Sequence, residues 1–328
     1  MKHDDVTGAP SSCFMSSCSA AYNRGMNTVE FGRTGFRVSR LGFGAAPIGF
    51  LGTERDRVGV ILNTLLDNGV NLIDTAASYP GAEEVIRQTV GHRRGEFVLV
   101  SKCGQKVGHV PGTAWSAELI TQTVEASLKR LGTDVIDVML LHSCDLATLR
   151  KGEALGALVK AREAGKIRFA GYSGDNEAGA YAAGLADIAV IETSVSFVDQ
   201  NNIDVVLPVT VEKNVGVLAK RPIGNSCWRD LSEFKGIYPG YVKPYIERFG
   251  KMGMTPESVG FDGDWAELAL RFTLSLAGMH TAIIGTTNPE NARANILAAE
   301  RGALPVEVVG RIREAFNCAG GGEWKGLQ

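Results

Sequence analysis

The chain has 328 residues, 45% of them hydrophobic and 21% charged, with a formal net charge of −2. That composition supplies a sizeable core and no excess positive field, which excludes a surface built to attract nucleic acid or an anionic membrane. The six cysteines, at 13, 18, 103, 144, 227 and 318, form no CxxC pair and no ligand spacing, so they read as reduced thiols of an intracellular protein with no metal site.

Residues 1–25 are rich in Ser, Ala and Gly with little bulky apolar content, which predicts a disordered tail. A secretory signal needs an uninterrupted apolar stretch of roughly 7 to 15 residues, and a membrane span needs a longer one. Neither occurs, so a cytoplasmic protein is expected, with residues 26–328 as a single domain. From Met26 the segment NTVEFGRTGFRVSRLGFG alternates apolar and polar residues around Gly32 to Gly35, the pattern of a hairpin that plugs something. Eight short apolar runs follow, near 41–45, 70–74, 97–101, 135–141, 167–172, 188–194, 215–219 and 281–285.

Amphipathic stretches separate these runs. Thr53 and Asp56 have capping-box spacing before a stripe of Val58, Ile61, Leu62, Leu65 and Leu66 that stops at Gly69. Ser116 opens a second stripe ending at Gly132, and LVKAREAG closes a third at Gly165. Eight strands alternating with helices predict an α/β fold, a (β/α)8 TIM barrel with an N-terminal β-hairpin. GFGAAPIG, at 42–49, imitates a dinucleotide fingerprint, but Pro47 stands at its third glycine and the first helix begins only after Thr53, so a doubly wound sheet is disfavoured.

Four runs end in, or lead into, a proton-handling residue: Asp74 and Tyr79 in NLIDTAASY, Lys102 in FVLVSKCG, and His142 in VIDVMLLHSCD. Singly, each has a bland explanation as a cap, a surface ion pair or a satisfied imidazole. Barrel strands share one rim, so in this order at successive strand ends the four converge. A lysine beside a phenol favours tyrosinate and makes Tyr79 a better acid, Asp74 holds the lysine charged, and His142 orients a carbonyl or an alcohol.

With KRLGTDVID, GKIRFAGYSG and IIGTTNPENARANI in order after these motifs, the chain from about Met26 to the end resembles the aldo-keto reductases, NAD(P)-dependent (β/α)8 barrels. The resemblance implies that Asp74, Tyr79, Lys102 and His142 form the catalytic tetrad, with Tyr79 as general acid. It implies that Ser173 and Glu192 meet the nicotinamide carboxamide and that Lys220 lies in the nicotinamide bed. Arg221, Pro222 and Ile223 fall at the pyrophosphate. Gly285, Thr286, Thr287, Asn291, Arg293 and Asn295 fall at the adenosine half. Glu192 stands in place of a glutamine, Lys220 in place of an aromatic ring and Gly285 in place of a lysine, and an ion pair between Glu192 and Lys220 is expected.

NADP is the implied cofactor, with NAD possible and Arg293, Thr286 and Thr287 left to meet a 2′-phosphate. Phe50, Trp115 and Trp228 are candidate substrate contacts. The expected activity is NAD(P)H-dependent reduction of an aldehyde, ketone or sugar to an alcohol, or its reverse, by a monomer or small homo-oligomer. A cofactor-sensing regulatory protein on the same fold and a lyase with a Schiff base on Lys102 or Lys220 are the rival readings. The glycine-rich AGGGEWKGLQ either folds across the mouth or hangs free.

Overall fold

A computed structural model describes residues 26–108 and 110–327; the tail expected over residues 1–25 lies outside them. Every apolar run becomes a strand. After the hairpin strands β1 (Thr28–Glu30) and β2 (Arg37–Ser39) come β3 (Leu41–Gly44), β4 (Leu72–Asp74), β5 (Val98–Cys103) and β6 (Ile136–His142). β7 (Ile167–Ser173), β8 (Ile188–Ser194), β9 (Gly216–Lys220) and β10 (Thr281–Ile284) follow. β3 to β10 pair in parallel and close into a barrel of order β10-β3-β4-β5-β6-β7-β8-β9.

The helices are α1 (Ala46–Phe50), α2 (Arg55–Asp67), α3 (Ala82–Val90), α4 (Ala117–Leu131), α5 (Leu146–Lys151), α6 (Glu153–Glu163) and α7 (Asn176–Ala183). Then come α8 (Asn201–Val205), α9 (Leu207–Glu212), α10 (Tyr238–Met252), α11 (Trp265–Leu274), α12 (Pro289–Glu300) and α13 (Val306–Cys318). Ser116 caps α4 by accepting from the Leu119 amide, and Gly132 ends it at φ 64°. The capping box expected at Thr53 does not form: α2 starts at Arg55, so Glu54 and not Thr53 stands at the N-cap and no side chain caps the helix, while Thr53 Oγ1 donates to the Pro47 carbonyl at 3.1 Å and ties down the first loop.

Side-chain alternation splits each strand between two cores. Leu72, Val98, Val100, Val138, Leu140, Val190, Leu218 and Ile283 fill the barrel interior, while Ile73, Leu99, Met139, Leu141, Ile191 and Val217 pack outward against the helices. Phe31 of the hairpin enters the interior core from the N-terminal end, fully buried and edge-on to His280. It fits because Gly216 has no side chain: a Cβ there would fall 2.8 Å from the Phe31 ring. One end of the barrel is thereby closed.

The interior parity continues past the apolar layers. Asp74 follows Leu72 by two, Lys102 follows Val100, His142 follows Leu140, Glu192 follows Val190 and Lys220 follows Leu218. The fold therefore turns all five side chains inward at the open, C-terminal end.

Candidate active site

Lys102 is fully buried and its ammonium lies 2.5 Å and 2.6 Å from the two Asp74 oxygens and 3.1 Å from the Thr75 carbonyl. The same nitrogen lies 5.3 Å from the centre of the Tyr79 ring. Tyr79 is half-buried and edge-on to His142, with ring centres 6.0 Å apart. Ser78 Oγ is 3.3 Å from His142 Nδ1. The four residues read from the sequence are thus assembled around one point at the mouth.

Burial dominates the proton affinities. It pushes the Tyr79 phenol up, with the Lys102 charge pulling the other way. His142 is driven well below the ordinary imidazole range, first by burial and then by the charges of Lys102 and Lys220, so it is a neutral ring at pH 7. Burial works against the Lys102 charge, but Asp74 and Glu192 outweigh it and hold the ammonium protonated. Asp74 is raised by burial and by the neighbouring Glu192, against the pull of Lys102; two carboxylates here share one cation.

The expected Glu192–Lys220 pair is absent. Glu192 lies 3.1 Å from Lys102, and Lys220 lies 3.0 Å from Asp175. Strand register explains the exchange. Ser173 is level with Glu192, and Glu192 with Leu218, so Lys220 stands one inward layer further out, alongside Asp175, two residues beyond Ser173. Asp175 was not foreseen. It is buried, accepts from Thr193, Ser194 and Asn202 as well as Lys220, and is held below the usual carboxylate range once those partners outweigh its burial. A charged residue two positions past a strand end, on the same parity as Ser173, was the available signal.

The remaining candidates divide. Arg221, at φ 56°, turns its guanidinium to the Leu327 carbonyl at 2.8 Å and to Tyr245 at 3.3 Å. The C-terminal segment accordingly folds across the mouth: Leu327 bonds Ser194, Arg221 and Asp199, Gly326 bonds Asn176, and Arg248 covers Trp324. Pro222 is buried with its carbonyl taken by Thr273, and Ile223 packs beside both outer cores. Gly285 is a packing position, since a Cβ there would fall 2.5 Å from the Gly44 carbonyl, which leaves no room for a lysine. Thr286 and Thr287 are half-buried on the loop to α12, whose first two turns carry Asn291, Arg293 and Asn295; Arg293 pairs with Glu290 at 2.5 Å.

Phe50 meets Tyr79 edge-on at 5.4 Å, whereas Trp115, at φ 67°, packs over Gly104. Trp228 is committed to a stack with Trp265 and Phe197. Six of the seven non-glycine residues at positive φ among the described residues, Trp115, Ser143, Asn176, Arg221, Asn225 and Ser226, lie in segments following barrel strands. Such strain concentrates where structure serves a site rather than itself. Glu192 Oε2, Ser196 Oγ and Asn225 Nδ2 are buried there without hydrogen-bond partners.

The model of the Aldo/keto reductase family matches residues 40–317. The chain belongs to that family. Among its aldo/keto reductase relatives, an uncharacterized oxidoreductase, YqkF, of Bacillus subtilis is 26% identical over 295 residues, 87% of this chain and 94% of its own. L-Galactose dehydrogenase of Arabidopsis thaliana is 27% identical over 290 residues, 81% of this chain and 86% of its own. The solved holo form of aldo-keto reductase AKR11C1 from Bacillus halodurans superposes with a TM-score of 0.75 at 26% identity, covering 88% of this chain and 96% of that one.

Proposed function

We propose that this aldo/keto reductase reduces a small carbonyl compound to an alcohol, or the reverse, with a nicotinamide cofactor that supplies or takes up the hydride. The observation carrying this reading is the buried Asp74–Lys102 pair directly beneath the Tyr79 ring, with a neutral His142 facing it. In the reduction Tyr79 gives its phenolic proton to the forming alkoxide. The Lys102 ammonium stabilises the tyrosinate left behind, and Asp74 fixes the ammonium through both oxygens. His142, kept neutral between two lysines, donates a hydrogen bond to the substrate oxygen without competing as an acid.

The polar atoms left without partners at the ends of β8 and β9 fit a ligand rich in amide and phosphate groups. Glu192 Oε2 is a free acceptor for a carboxamide N–H, with Ser173 level with it on β7. Lys220 lies one layer out, and Arg221, Pro222 and Ile223 follow where a pyrophosphate would run. Thr286, Thr287, Asn291, Arg293 and Asn295 line the loop and helix for the adenosine half, while Gly285 shapes that loop. NADP is the inferred cofactor, with NAD as its competitor, because Arg293 is the cation on α12 that could exchange Glu290 for a 2′-phosphate. Phe50 is the favoured substrate contact. The likeness to L-galactose dehydrogenase supports a sugar-like carbonyl.

Lys102 held protonated by two carboxylates disfavours the Schiff-base alternative, which needs a neutral amine. The test is turnover of aldehydes, ketones and sugars with both cofactors, in the wild type and in Tyr79→Phe. The variant should bind cofactor unchanged and lose about 10² to 10⁴ in rate. Undiminished turnover would remove Tyr79 from the role.

A further inference from the structure

The charges turned into the mouth are not evenly matched. In the inner layer Lys102 faces two carboxylates, Asp74 and Glu192. One layer further out, Lys220 has Asp175 as its one ion-pair partner among the described residues. Arg221, the next residue, turns its guanidinium to the Leu327 carbonyl and to Tyr245 instead.

Asp175 is a weak counter-ion for Lys220, because its charge is already shared. Its Oδ1 accepts from Thr193 Oγ1 at 2.8 Å, the Ser194 amide at 2.6 Å and Asn202 Nδ2 at 3.0 Å. Its Oδ2 accepts from Ser194 Oγ at 3.2 Å and meets Lys220 at 3.0 Å. Four neutral donors thus hold this carboxylate with or without the lysine. The Asp175 side chain is closed off, whereas 13% of the Lys220 side chain stays exposed at the mouth. The field of the lysine is felt there, since after burial and Lys102 it is the third influence driving His142 down.

We propose that Lys220 sets the preference between the two redox forms of the nicotinamide: it weakens binding of the oxidised, positively charged ring relative to the neutral reduced one, and Asp175 limits how far. This rests on reading the mouth as a nicotinamide site with Lys220 in the bed of the ring. The two forms carry the same pyrophosphate and the same adenosine half, so a cation that met only those would act on both alike. A cation beside the ring discriminates, and its contribution has this sign whatever the sum of the other charges around it. One unit charge a layer away, partly offset by its carboxylate, amounts to on the order of tenfold in affinity. The consequence is a site that loads with the reduced form and lets the oxidised form go.

The experiment measures the dissociation constants of NADP+ and NADPH, or of NAD+ and NADH where those bind more tightly, by titration calorimetry. The proteins are the wild type, Lys220→Met, Lys220→Gln, Lys220→Arg and Asp175→Asn. The ratio of the oxidised to the reduced constant should fall about tenfold in the two neutral variants and stay at the wild-type value in Lys220→Arg. It should rise in Asp175→Asn, which bares the charge of the lysine. An unchanged ratio in whichever neutral variant folds overturns the proposal, because a lysine that holds the pyrophosphate or the fold weakens both forms together. Should neither fold, a ratio that fails to rise in Asp175→Asn overturns it instead. Failure of both forms to bind the wild type would sink the nicotinamide reading itself, whereas binding with a ratio indifferent to Lys220 sinks only this inference.

Discussion

Replacing Lys102 by methionine keeps much of the side chain's length and removes its charge. It leaves Asp74 and Glu192, both buried, facing each other with no cation. Breaking a buried pair in this way costs about 3 to 5 kcal/mol while the stranded group stays charged. The carboxylates will instead take up a proton, so the cost should depend on pH with a definite sign. Without Lys102 the folded-state proton affinity of the pair rises above that of the unfolded chain, so stability is retained at acid pH and lost as pH rises. One retained proton corresponds to about 1.4 kcal/mol per pH unit, or about 4 kcal/mol over three units. Lys102→Met should therefore be destabilised by about 4 kcal/mol at pH 8 and by about 1 kcal/mol or less at pH 5. Urea unfolding of variant and wild type at both pH values measures this. A penalty that is the same at pH 5 and pH 8 would show that the two carboxylates do not interact through the lysine, and would refute the electrostatic account of the site.

Asp199 offers a second pH signature: burial lifts its carboxyl to about 6 against the bonds from Leu327 and Arg248, so the native state favours the protonated form and loses stability as pH rises through that value. Asp199→Asn should gain on the wild type by about 3 kcal/mol between pH 4 and pH 7, read by denaturant midpoints at each pH. Arg293→Ala should weaken NADPH about tenfold and leave NADH unchanged, measured by fluorescence titration, because only the former has a phosphate to lose. Gly285→Lys should lower thermal stability and fail to improve NADPH binding, since its Cβ meets the Gly44 carbonyl and Pro47 before its ammonium reaches anything.

Much of the fold was legible because buried parallel strands are continuous apolar runs, and a charge at the end of such a run has only the open rim to go to. Asp74, Lys102 and His142 announce themselves in that way. The partners of Glu192 and Lys220 did not, because which inward layer a residue joins depends on register between strands that are distant in sequence. Thr53 misled for a local reason: the helix begins one residue later than the capping spacing implies, which puts Glu54 at the N-cap and leaves Thr53 in the loop, where its hydroxyl donates to the Pro47 carbonyl. Arg221 was legible as a cation at the mouth, but the carbonyl it holds belongs to a residue 106 positions away.

That last contact ties the order of synthesis to the shape of the mouth. The barrel strands all lie before residue 285, so a growing chain holds every strand of its barrel before Gly326 and Leu327 have been added. The β7 to β9 side of the opening cannot be finished then, because Asn176, Ser194, Asp199 and Arg221 wait for Gly326 and Leu327. A barrel closed at that stage would lack this side of its mouth until those two residues arrive.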